Sequence, residues 1–155
     1  MIPKNPRAAD RQYVIGEVYT LDVREDRSGP SHRQYFAAIN DAWANLPDNL
    51  LQRFPSPEHL RAFSLIRAGY ANSRQIVCAN KTEARRVAAF VRPMNTYALV
   101  TVTDGVVTVY EAKSQSYRAM PKGEFQKSKD AVLDILARFL GTTSGELQDN
   151  AEAAA

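Results

Sequence analysis

Six arginines and one lysine fall within residues 61–92: Arg61, Arg67, Arg74, Lys81, Arg85, Arg86 and Arg92, against one carboxylate, Glu83. That segment carries +6 in a chain whose formal net charge is +3, while residues 1–60 balance at −1 and residues 93–155 at −2. The planar guanidinium fork suits phosphate oxygens. A one-sign block inside an otherwise balanced chain therefore points to a polyanionic partner. The competing reading is a solvated helix face set against acidic neighbours. A second basic set surrounds aromatic residues. Arg24, Arg27 and Arg33 flank a turn that leads into Tyr35 and Phe36, and Arg118 and Lys122 bracket Met120 just before an apolar helix. Cations that track a backbone and rings that stack on bases are what single-strand binding uses, with stacking worth about 1–3 kcal/mol per base. Tyr35 and Phe36 stand about 100° apart on a helix, so one can face the core while the other faces outward.

Catalytic chemistry is thin. The densest carboxylate patch, Asp22, Glu25 and Asp26 with Glu17 before it, has no downstream partner to complete a two-metal clamp, and the bland reading is a solvated turn. His32 and His59 are the only histidines and Cys78 the only cysteine, which excludes a His-rich metal centre, a multi-cysteine zinc site and an internal disulfide. Cys78 between Val77 and Ala79 reads as a buried strand residue rather than a nucleophile. No Gly-rich phosphate loop, nucleophile elbow or HExxH motif occurs. The residues favour a protein that is not an enzyme and takes no cofactor or metal.

The elements that must position these groups follow from periodicity and punctuation. The hydrophobic fraction of 45% and charged fraction of 24% over 155 residues suit one globular domain. No apolar run approaches the roughly 20 residues of a membrane span, and the first ten residues lack a secretion signal, so the expected setting is reduced and cytoplasmic. Residues 1–11 read as a flexible lead-in and 12–23 as a β-branched strand. A helix follows from Ser31, with Tyr35, Phe36, Ile39 and Trp43 on one face. Ser56-Pro57 signals a second helix. Residues 73–79 read as a short strand, and Asn80 or Thr82 caps a third helix ending at Arg92-Pro93. Asp104-Gly105 between two β-branched runs, 97–103 and 106–112, marks a type I′ hairpin. A long last helix spans about 121–140, with Gly141 behind it. The expected fold is α+β: a small antiparallel sheet with a hairpin and three to four helices, forming one domain over 12–141, with a disordered tail over 142–155.

Two stretches resemble a known family. Arg27-Ser28, Arg33, Phe36-Ala37 and Ile39 are similar to the R-S-x-x-x-x-R-x-x-W-A-x-L start of the first long helix in the lambda NinB (Orf) recombination proteins. Met120-Pro121-Lys122-Gly123-Glu124-Phe125 is similar to the M-x-x-G-E-F run that opens their last helix. The segments 31–37 and 60–70, with Ala112-Lys113-Ser114, also resemble a second family of phage-encoded proteins. The resemblance covers about 60% of the chain in pieces. It implies a phage or prophage recombination mediator: a non-catalytic homodimer that binds single-stranded DNA and loads a recombinase onto strands coated by the host single-strand-binding protein. By position, Arg27, Ser31, Arg33 and Phe36 would line the DNA path, with Arg118 or Lys122 near the last helix. Phe36 stands where the family has tryptophan. The chain lacks the family's additional N-terminal helix, and residues 71–119 add a strand, a helix and a hairpin. Arg85 and Arg86 lie in that added stretch and are candidate phosphate contacts on charge alone.

The leading expectation is thus a single-strand DNA-binding recombination accessory. The alternatives are a phage accessory protein that contacts a host protein through a basic face, and a metal-dependent nuclease built on Asp22 and Asp26.

Overall fold

The computed structural model describes residues 29–154. The expected strand over 12–23, the carboxylates Glu17, Asp22, Glu25 and Asp26, and the cations Arg24 and Arg27 lie outside these residues. The helices are α1 (Gly29–Ala44), α2 (Asp48–Leu51), α3 (Pro57–Arg67), α4 (Lys81–Val91), α5 (Lys122–Leu140) and α6 (Ser144–Ala154). The strands are β1 (Ala71–Val77), β2 (Leu99–Thr103) and β3 (Val106–Ala112), and a 3-10 turn, Arg92–Met94, follows α4. The expected α+β class with its antiparallel sheet, hairpin and long helix near the C-terminus is what the chain forms, with six helices among the described residues rather than three or four.

Local chemistry sets the boundaries. Ser56 caps α3 by accepting the His59 N–H, and Pro57 occupies the first helical position, where its missing N–H costs nothing. Asn80 Oδ1 accepts the Glu83 N–H at 2.8 Å, and Glu83 reaches back to the Ala79 N–H at 2.7 Å, a reciprocal cap at the start of α4. Asn80→Ala should cost about 1 kcal/mol, read as a shifted midpoint in urea unfolding. In the hairpin, Asp104 at φ 48° and Gly105 at φ 82° hold the two left-handed positions that a type I′ turn needs.

Two cores result. The larger is helical: Tyr35, Ile39, Leu60, Leu65, Val132, Leu133 and Leu136 are almost wholly buried where α1, α3 and α5 pack together. The smaller lies between α4 and the sheet, with Ala84 and Ala88 meeting Val100 and Val107. β3 is the central strand, in the order β1-β3-β2. Its alternate residues separate the two sides: Val107 and Val109 face α4, while Thr108 and Tyr110 face the opposite way. α3 packs against β3 and shares a cleft with Leu99, which pairs with Tyr110.

Two expectations give way. The tail over 142–155 is not a disordered extension: α6 buries Leu147 and Ala151 against α1 and α5. Thr143 accepts the Glu146 N–H while Glu146 accepts the Thr143 N–H, a capping box that starts the helix. Gly141, at φ 66°, turns the chain back from α5 so that this packing is reached. Cys78 is half-buried rather than buried and sits just past β1, beside the smaller core. Among the described residues no helix is long and apolar enough to cross a membrane.

Candidate nucleic-acid interface

The first turns of α1 meet the segment that leads into α5. The His32 ring lies 5.8 Å from Tyr117 and 5.5 Å from Phe125, nearly parallel to both, and 4.9 Å from Phe36. Tyr117 is 56% exposed. Arg33 follows His32 on α1, Arg118 follows Tyr117, and Lys122 opens α5 three residues before Phe125; all three are exposed. Arg33 folds back along its helix: a Cβ on Gly29 would meet its guanidinium at 3.5 Å. Ser31 accepts from the buried Lys129 ammonium at 3.0 Å, which brings a second cation to the same helix end. An open cleft of about 360 Å³, lined in part by Lys113, Ser114, Met120 and Glu124, runs beside the α5 start.

A buried polar network fixes this arrangement. Gln115 Oε1 accepts from the Tyr35 hydroxyl at 3.1 Å and from Arg61 Nη1 at 2.6 Å, and its amide donates to Ser128 Oγ at 2.9 Å. One side chain thus ties α1, α3 and α5 to the loop that carries Tyr117 and Arg118. Burial pushes the Tyr35 hydroxyl up to a pKa of about 12, against the opposing pull of Gln115 and Arg61. Burial also opposes the Arg61 charge, and the ion pair with Glu58 outweighs it, so the guanidinium is held above its ordinary range.

The positions named from the sequence divide accordingly. Ser31, Arg33, Phe36, Arg118 and Lys122 come from two distant segments that the fold brings to one end of the helical layer; Arg27 lies outside the described residues. Phe36 is half-buried and packs on the larger core, and its neighbour Tyr35 is wholly inside, so the outward ring here is Tyr117. Sequence reasoning passed over Tyr117, although Tyr117-Arg118 is an aromatic–cation pair of the kind sought elsewhere in the chain.

The +6 block is not one surface. Arg61 turns inward to Gln115 and Glu58, and Arg74 on β1 pairs with Glu111. Lys81, Arg85, Arg86 and Arg92 are exposed on or just after α4, which packs on the sheet. Arg85 and Arg86 therefore belong to a different element from the α1–α5 group. His59 lies in the first turn of α3, its Nδ1 2.7 Å from the Oγ of the capping Ser56. Among the described residues no group of three His, Cys, Asp or Glu side chains is placed to hold a metal ion. No family model, curated protein or solved structure matches the chain.

Proposed function

We propose that the protein is a non-catalytic accessory of DNA recombination that binds single-stranded DNA in the cytoplasm of a bacterial host, like the phage mediators its sequence resembles. The observation that carries this reading is the meeting of α1 with the loop before α5, where an exposed tyrosine stacks on His32 and the neighbours in sequence, Arg33 after His32, Arg118 after Tyr117 and Lys122 at the start of α5, are exposed cations. An exposed ring among cations on a helical scaffold offers stacking to a base and charge to the adjoining phosphates. A homodimer, the host single-strand-binding protein and a recombinase are the partners that belong to the same reading.

Fluorescence-anisotropy titration of a labelled oligothymidine at two salt concentrations, with duplex as competitor, tests it. Binding should favour the single strand and weaken with salt by about 0.7 log units per log unit for each phosphate contact. Tyr117→Ala should cost about 1–3 kcal/mol of binding, and Arg33→Ala should lower both affinity and salt slope. Unchanged affinity in both variants rejects the site. Arg85→Ala/Arg86→Ala asks separately whether α4 takes part.

A further inference from the structure

Along the β1 edge of the sheet the outward backbone groups have no hydrogen-bond partner among the described residues. Lys113 N–H donates to the Tyr70 carbonyl, and Cys78 N–H to the Gly105 carbonyl, both at 2.9 Å, and these bonds bracket β1. They fix the phase of the ladder: even-numbered residues of β1 turn their N–H and C=O towards β3. Ala71, Ser73, Gln75 and Val77 turn theirs outward, where no hydrogen bond among the described residues takes them up. No proline or lysine guards this edge, and Arg74 is the one charge on the strand.

Beside the edge, on the α4 side of the sheet, lies a groove of about 430 Å³ lined chiefly by Ile76, Val91, Met94, Ala98 and Val109. Ile76, Val77, Phe90 and Met94 are exposed, the last three at 80%, 70% and 68%. Ile76 and Met94 line the groove and Phe90 precedes Val91 in its wall, whereas Val77 lies on the other face of the sheet; exposed apolar side chains at a groove mark a docking face. The surroundings are basic. Arg74 and Glu111 line the groove together as an ion pair, and Arg92, next to Val91 in its wall, adds an exposed cation. The local carboxylates are already engaged: Glu83 in the helix cap, and Glu111 with Arg74 and Asn95, whose hydrogen bonds hold its carboxyl below the usual range.

We infer that β1 accepts an extended acidic peptide segment of a partner protein as a fourth strand, with an apolar side chain beside Ile76 entering the groove and an acidic one, two residues away, meeting Arg74. Strand addition supplies main-chain bonds to the open edge, and alternate side chains supply selectivity. Side chains opposite Ser73 and Gln75 would lie on the other face, among polar residues, and are best small and polar. A second copy of this chain fits less well, because its own β1 brings an arginine and no carboxylate to a basic rim. Nucleic acid has no strand backbone with which to complete the ladder. The inference uses none of the residues of the α1–α5 group and stands or falls apart from the single-strand reading.

The probe is a labelled synthetic peptide with threonine at every second position and leucine alternating with glutamate between them. The full chain should bind it, and exchange of lysine for glutamate in the peptide should weaken binding by about tenfold or more. Binding should protect the Ala71, Ser73, Gln75 and Val77 amides, and not those of α5, from hydrogen exchange. Gln75→Pro removes an outward donor without touching the β3 ladder, and it should abolish binding while leaving the circular dichroism spectrum unchanged. The peptide comparison on the unaltered protein covers the case in which that variant fails to fold. Equal binding of the two peptides, or no protection along the edge, overturns the inference. So does self-association that Gln75→Pro abolishes, which would make a second copy the occupant, or an oligothymidine that protects the same amides.

Discussion

Between about pH 10 and about pH 12 the folded protein should lose about 2–3 kcal/mol of stability through one side chain, Tyr35. Burial among α1, α3 and α5 raises its pKa from 10.0 to about 12, and each unit is worth about 1.36 kcal/mol. The sign follows from which state ionises first. The unfolded chain releases this proton near pH 10 and the folded chain only near 12, so the contribution is whole below pH 10 and is lost as pH rises through the folded value. Tyr35→Phe has no proton to lose. Urea unfolding of both proteins at pH 9 and pH 12 isolates the effect from the other tyrosines and lysines. The stability of the natural protein relative to the variant should fall by that amount at the higher pH. A difference that stays constant would mean that water reaches the Tyr35 hydroxyl.

Leu136→Ala should destabilise by about 2–5 kcal/mol, because a fully buried leucine leaves both its transfer energy and a cavity behind. Val107→Ala, equally buried but in the smaller core, should cost about 1.5–2 kcal/mol for its two lost methyl groups. The contrast tests the division into two cores. Val107 meets small partners, Ala84 and Ala88 among them, whereas Leu136 belongs to the larger cluster that spans α1, α3 and α5. Equilibrium unfolding followed by circular dichroism should show lower midpoints for both variants with the slope unchanged. Equal costs would mean that the sheet and the helical layer share one continuous interior.

Features governed by neighbours in sequence were legible before the fold was known. Asp104-Gly105 set the hairpin, Ser56-Pro57 the start of α3, Asn80, one of two candidate caps with Thr82, the start of α4, and Gly141 the end of α5. Each is a local backbone or capping requirement with few residue solutions. The helix over 144–154 was missed because the buried stripe among its described residues is short, Leu147 and Ala151 one turn apart, although Thr143 and Glu146 carried a readable capping signal. The basic block misled in a different way. Proximity along the chain suggested one surface, whereas Arg61 turns inward to Gln115 and Arg74 is paired with Glu111. Gln115 was invisible for a related reason: nothing near a lone glutamine in a loop signals that Tyr35, Arg61 and Ser128 will converge on it.

Gln115 also governs how freely its own loop moves. With Gln115 fastened on three sides, Ser116 accepting from Ala119 and Met120, and Met120 buried, the segment carrying Tyr117 and Arg118 is ordered by folding itself. Fixing a residue's backbone costs about 1–2 kcal/mol in conformational entropy. For this segment the cost is met once, when the chain folds, and a ligand landing on Tyr117 encounters a surface already in shape.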